Sequence, residues 1–70
     1  MHNILTTVEN LKPGDNLDLQ DNHYVIYDVR PSSEKYYTDI YVIGVMKDGT
    51  VEAKVWKQPS TTRFVTDRPA

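Results

Sequence analysis

Apolar and polar residues alternate with period two along most of the chain, and breaks rich in Pro, Gly, Asn and Ser separate the alternating runs. Leu17 and Leu19 between Asn16, Asp18 and Gln20 predict a half-buried strand over 16–20, and Asp21-Asn22 turns the chain. A second strand over 23–30 carries Val25, Tyr27 and Val29 on one face and Tyr24, Ile26 and Asp28 on the other; the pattern leaves open which face is buried. Residues 31–35 form an exposed polar loop, and a long third strand over 36–46 follows. The fourth strand, 50–57, ends at Gln58-Pro59-Ser60-Thr61, and a short fifth over 62–66 turns in either Phe64 or Val65. Asp67 to Ala70 reads as a frayed tail. Ahead of the strands, Ile4, Leu5, Val8 and Leu11 have helical spacing, with Thr6 and Glu9 in capping-box order. So short a segment does not hold a lone helix. It predicts one helical turn over 7–10, closed by Lys12-Pro13-Gly14-Asp15, where Pro presets φ and Gly takes the left-handed position.

The third and fourth strands flank Asp48-Gly49, a dipeptide suited to the two φ > 0 positions of a type I′ turn. A two-residue loop there opposes Lys47 to Thr50 and pairs Met46 with Val51, Gly44 with Ala53, Val42 with Val55 and Ile40 with Lys57. That face is almost wholly apolar. The other face pairs Val45 with Glu52, Ile43 with Lys54 and Tyr41 with Trp56, and it runs on to Asp39 and Tyr37. Met46, Val42, Val55, Val51, Leu17, Leu19 and Val25 are then the expected interior. Gly44 marks the point where a sheet bends or bulges.

Seventy residues make one domain spanning residues 1–70, and a chain of that size buries only about 60% of its unfolded surface. Five short strands with local connections predict an all-β fold, a small five-stranded barrel or strongly bent antiparallel sheet with one short N-terminal helical turn. The run Leu11-Lys12-Pro13-Gly14-Asp15-x-Leu17-x-Leu19, then Tyr24-Val25-Ile26-x-Asp28-Val29, then Asp48-Gly49 before a strand, resembles the small SH3-like barrels common in bacterial and phage proteins. The Pro-Gly-Asp diverging turn is the best match, and the resemblance covers residues 8–65. The chain lacks the paired tryptophans and the Pro-Ser-Asn-Tyr segment of the signalling SH3 groove, so proline-rich peptide recognition is not carried over.

The absence of cysteine removes disulfide staples and thiolate ligands, and favours an intracellular, cytoplasmic setting. No basic leader with an apolar run opens the chain, and no apolar stretch reaches the roughly 18 residues of a membrane span. The net charge of −2 is unevenly placed: residues 1–46 are acidic on balance and 47–70 mildly basic. Chemistry is scarce. His2 and His23 have no second His or Cys at ligand spacing, and Asp15, Asp18 and Asp21 form a period-three acidic row without the Gly and distal Glu of an EF-hand loop. With no nucleophile elbow and no phosphate-cradling Gly-rich loop, the expectation is a non-catalytic protein with no cofactor and no metal.

The aromatic residues carry the functional reading. By the register above, Tyr41 and Trp56 face away from the barrel interior. Either they form a second small cluster under Ile4, Leu5 and Val8, or they are exposed as a binding patch of Tyr37, Tyr41, Trp56, Lys54, Arg30 and Ile43, the composition of interaction hot spots. The favoured function is a protein-interaction module, a homo-oligomer or a small accessory factor docking on a larger protein. Compact domains of this size are typical of phage and bacterial accessory proteins. The alternative is nucleic-acid binding, in which Tyr37, Tyr41 and Trp56 stack bases while Lys54, Lys57 and Arg63 track phosphates. The acidic balance argues against it, because such affinity is mostly counterion release from a basic footprint.

Overall fold

The computed structural model describes residues 2–69, with the His2 side chain and Ala70 outside the described residues. It is an all-β chain: β1 (His2–Thr7), a single 3-10 turn (Val8–Asn10), β2 (Asn16–Leu19), β3 (Asn22–Pro31), β4 (Tyr37–Val45), β5 (Val51–Pro59) and β6 (Arg63–Arg68). All pairings are antiparallel, in one sheet of order β1-β6-β2-β3-β4-β5. The expected antiparallel sheet with one short helical turn is therefore present, with two additions at the ends. Residues 2–7, which include Ile4 and Leu5 of the helically spaced segment 4–11, pair as a strand with β6, and β6 runs through Asp67 and Arg68 where a frayed tail was expected. The helical turn follows β1 directly. Its N-cap is Thr7, and no side-chain cap bond forms, so the Thr6/Glu9 capping box is not made.

Connectivity forces the sheet to curl. Strand β6 lies four strands away from β5, about 19 Å across a flat sheet. Only Ser60, Thr61 and Thr62 join them, a link that reaches about 14 Å at most. The ends of β5 and β6 meet only if the sheet bends strongly. The helical turn fills the concave side where they meet: Val8 N–H donates to Thr62 O at 2.7 Å, and Val8 and Leu11 are buried. Around them the core is Leu17, Tyr24, Ile26, Ile40 and Val42, with Val29, Met46, Trp56 and Phe64 packed against it. The choice between Phe64 and Val65 is resolved in favour of Phe64, since Val65 is exposed.

The turns explain which residues reach the inside. Lys12-Pro13-Gly14-Asp15 forms the expected turn, with Asp15 N–H donating to Lys12 O and Gly14 at φ +95°. The two-residue hairpin loop of this protein is elsewhere than expected. Leu19 pairs with Asn22, and both residues between them, Gln20 and Asp21, have positive φ, the signature of a type I′ turn. At the β4–β5 hairpin only Gly49 has positive φ, and Met46 N–H donates to Thr50 O at 2.7 Å. That makes a three-residue loop, Lys47-Asp48-Gly49, with Gly49 in the left-handed position of a bulged hairpin.

The longer loop corrects the register by one residue. Val45 pairs with Val51, Ile43 with Ala53, Tyr41 with Val55 and Ile40 with Trp56. A one-residue slip sends every side chain of a strand to its opposite face. On β4 the expected inward set, Ile40 and Val42, is buried; on β5 inside and outside are exchanged, so Val51 and Val55 are exposed and Trp56 packs against the core. Val25 and Leu19 also leave the expected interior: Val25 is half-buried on the outer face and Leu19 is exposed. Strand β3 answers its ambiguous pattern with a bulge between Ile26 and Asp28, so Tyr24 and Ile26 point inward before it and Val29 after it. Gly44 is not the bulge. Its missing side chain admits the Tyr24 ring, since a Cβ there would lie 2.7 Å from Tyr24 Cε1 and 2.4 Å from the Met46 methyl.

Candidate functional site

The outer face of β3, β4 and β5 is where the sheet leaves apolar side chains uncovered. Cross-strand rows place Val25 beside Ile43 beside Ala53, and Tyr41 between Asp28 and Val55, with Val45 and Val51 at the hairpin end. Tyr27, pushed out by the bulge, sits 6.0 Å from Tyr41, ring to ring. Val51, Val55, Tyr27 and Val45 are 63%, 56%, 49% and 41% exposed, far more than a sheet face packed on a core would allow. The patch is continuous across three strands because each of them carries apolar side chains at alternate positions on this outer face.

Charged residues close one end of this face. Arg30 pairs with Asp39 across the strands, and its guanidinium stands 5.5 Å above the Tyr41 ring while Nε donates to Asp28 Oδ2 at 2.7 Å. Lys57, the next residue in that row, forms an ion pair with Glu34 and places Nζ 5.2 Å from the Tyr37 ring. The hydrogen bond to Glu34 holds the Lys57 ammonium above its ordinary pKa, so it stays charged. At the opposite end the row is His23 and Val45.

Of the residues singled out from sequence, Tyr37, Tyr41, Arg30 and Ile43 share this outer face. Trp56 and Lys54 do not. Trp56 lies on the concave side, its ring centroid 4.7 Å from that of Tyr24 in an edge-on arrangement, and Lys54 is beside Glu52 at 3.5 Å on the same inner side. The cluster expected under Ile4, Leu5 and Val8 therefore splits: Trp56 joins the core that contains Val8, Tyr41 stays outside, and Leu5 is exposed beside Val65 on the β1–β6 pair. Sequence reasoning missed Val25, Tyr27, Val45, Val51, Ala53 and Val55. Their signal was present as Val51-x-Ala53-x-Val55 in step with Tyr41-x-Ile43-x-Val45, but the slipped register assigned the first set to the interior.

Polar side chains elsewhere are paired with one another. Asp15 is 1% exposed and takes two hydrogen bonds from Arg68, at 2.9 and 2.7 Å, and one from Lys12 N–H at 2.9 Å. Burial pushes its carboxyl up, but Arg68 and the Lys12 amide outweigh burial and hold it below the ordinary value. Asp18 contacts His23 and Asp21 lies 3.9 Å from Lys47, so the acidic row disperses onto three separate partners. Among the described residues no three His, Asp or Glu side chains converge on a metal-sized site. A concavity of about 370 Å³ lies between the β3–β4 loop and Ser60 and is open, with Glu9, Glu34, Arg30 and Lys35 mixed along its walls. Tyr36 there holds φ +71° and accepts a hydrogen bond from Ser60 N–H at 2.8 Å, tying that loop to the β5–β6 link. Among the described residues no helix is long and apolar enough to cross a membrane. Comparison with protein-family models, curated proteins and solved structures returned no match.

Proposed function

We propose that this chain is a small non-catalytic protein-interaction module, an accessory factor that docks on a protein partner through the outer face of β3, β4 and β5. The observation that carries the reading is the continuous uncovered face of Val25, Tyr27, Tyr41, Ile43, Val45, Val51 and Val55, with an arginine stacked at its rim. Monomeric domains rarely leave an apolar patch that spans three strands in contact with water, and Tyr with Arg at the edge of such a patch is the composition of interaction hot spots. In this reading the fold is a small SH3-like barrel of bacterial or phage type carrying one extra N-terminal strand. The order β6-β2-β3-β4-β5 with its short closing link supports that assignment. The module acts in the cytoplasm, a setting that suits a chain without cysteine.

Nucleic-acid binding gains no support from the geometry. Tyr41 and Trp56 lie on opposite sides of the sheet, and Lys54 and Lys57 are each beside a carboxylate. The test is Ile43→Glu, which puts a charge at the centre of the outer face without touching the core. Partner retention in an affinity pull-down should fall at least tenfold while the thermal melt stays within a few degrees of wild type. Unchanged retention sinks the assignment of this face. Retention that decays steeply with salt would instead favour a phosphate-bearing partner.

A further inference from the structure

Strand β5 ends the sheet, and among the described residues no strand pairs with its outer edge. Met46 N–H donates to Thr50 O, which makes 46 and 50 a hydrogen-bonded pair. Antiparallel ladders alternate, so Glu52, Lys54 and Trp56 spend their main-chain groups on β4, while Val51, Ala53, Val55 and Lys57 aim theirs away from it. The β4–β5 ladder runs from Val45 to Pro59 without a bulge, and proline occurs only at its last position. Bulges and central prolines are the usual protections of an exposed edge. Here only charges remain on it.

Those charges have a symmetry. Val51-Glu52-Ala53-Lys54-Val55 reads the same from both ends in size and opposite from both ends in charge. We propose that two copies of this chain pair antiparallel along β5, about a two-fold axis through Ala53. In that register Val51 lies opposite Val55 of the second copy, and Glu52 lies opposite Lys54 of the second copy, twice over. The parity is also right: Ala53 pairs with Ala53, and Val51 with Val55, as hydrogen-bonded pairs, giving about six new main-chain hydrogen bonds. The neighbouring registers that satisfy the same parity match fewer charges: centred on Val55, Glu52 lies opposite Gln58 and Lys54 opposite Trp56, and centred on Val51, Glu52 lies opposite Thr50 while Lys54 meets only Asp48, which belongs to the hairpin loop and not to the strand. The ion pair that Glu52 and Lys54 make within one chain, 3.5 Å with both side chains roughly half exposed, is a surface pair of little worth and is readily exchanged. Glu52 and Lys54 thus turn away strands of other sequence and accept this one, and the outer faces of two copies join at the seam of Val51, Ala53 and Val55 into one apolar surface. The inference concerns the strand edge and stands whether or not that outer face docks a partner.

Sedimentation velocity over concentrations up to about 1 mM tests it. The wild-type chain should be a dimer, and Ala53→Pro should be a monomer with an unchanged melt, because the proline removes an N–H that β4 does not use. Glu52→Lys and Lys54→Glu should each raise the dimer dissociation constant tenfold or more, and an equimolar mixture of these two variants should dimerise again. That rescue keeps the test decisive even if Ala53→Pro fails to fold. A wild-type monomer at the highest concentration overturns the proposal. So does a dimer that survives Ala53→Pro, or a mixture that does not reassociate. Ile43→Glu should leave the dimer intact, so loss of partner docking and loss of dimerisation are read separately.

Discussion

Trp56 and Val55 are neighbours on one strand with opposite duties. The Trp56 ring packs edge-on to Tyr24 above the space that Gly44 leaves, whereas Val55 is more than half exposed beside Tyr41. Trp56→Ala should therefore remove about 3 kcal/mol of stability, most of what a domain of this size holds, and Val55→Ala should change the stability read from urea unfolding by less than about 0.5 kcal/mol. Gly44→Ala tests the same packing from the other side, since its new methyl meets the Tyr24 ring, and a loss of about 1–3 kcal/mol is expected. A Val55→Ala variant that unfolds while Trp56→Ala does not would overturn the observed faces. The sequence contained the relevant clue, a glycine within a strand on a face rich in large side chains, because a glycine in a sheet interior is commonly covered by an aromatic neighbour.

At the scale of elements, one turn decides the β4–β5 hairpin. Asp-Gly serves a two-residue type I′ loop and equally the last two positions of a three-residue bulged loop, and the two differ in whether Asp48 has positive φ. Here it does not. Its carboxylate accepts a hydrogen bond from Thr50 N–H at 2.9 Å, and hydrogen bonding from the Thr50 side chain first, and from this amide second, holds the Asp48 pKa below its ordinary value. Gly49→Val should destabilise the fold by about 1–3 kcal/mol, because a β-branched residue resists φ +89°. Asp48→Gly separates the two loops: in a type I′ turn glycine relieves strain and raises the melting temperature, whereas in the observed loop it loosens the backbone, removes the cap and lowers it. The same distinction separates what was legible from what was not. Strand existence followed from period-two alternation, but the register needed one residue's φ, to which the dipeptide itself is indifferent.

Across the whole molecule, Asp15 and Arg68 join the turn before β2 to the last strand. Arg68 reaches Asn10 O as well, so one guanidinium fastens the N-terminal turn, the Pro-Gly turn and β6 together. The Asp15 carboxyl is held below its ordinary value of 3.8, so it binds a proton more readily in the unfolded chain than in the folded one. The stability it contributes is present above that value and is lost as pH falls through the lower, folded-state pKa. Urea midpoints measured from neutral pH to about pH 2 should show this as a steep acid limb in the wild type. Asp15→Asn should be less stable at neutral pH and should lack that part of the limb; an identical acid dependence in both would show that the pair contributes nothing.

The sequence by itself determined the all-β class, the positions of most strands and the Pro-Gly turn at 12–15, because these depend on local periodicity and on residue identity. It also contained the apolar surplus on β4 and β5. Only the tertiary structure decided where that surplus lies. Residues 2–7 became a strand because β6 offered them an edge, a pairing some sixty residues away that local helical spacing does not register. Strand β5 turned Trp56 inward and Val51, Ala53 and Val55 outward because burying an indole against Tyr24 removes more apolar surface from water than burying a valine. When both faces of a strand are apolar the pattern cannot distinguish core from surface, and the choice falls to the packing of the whole.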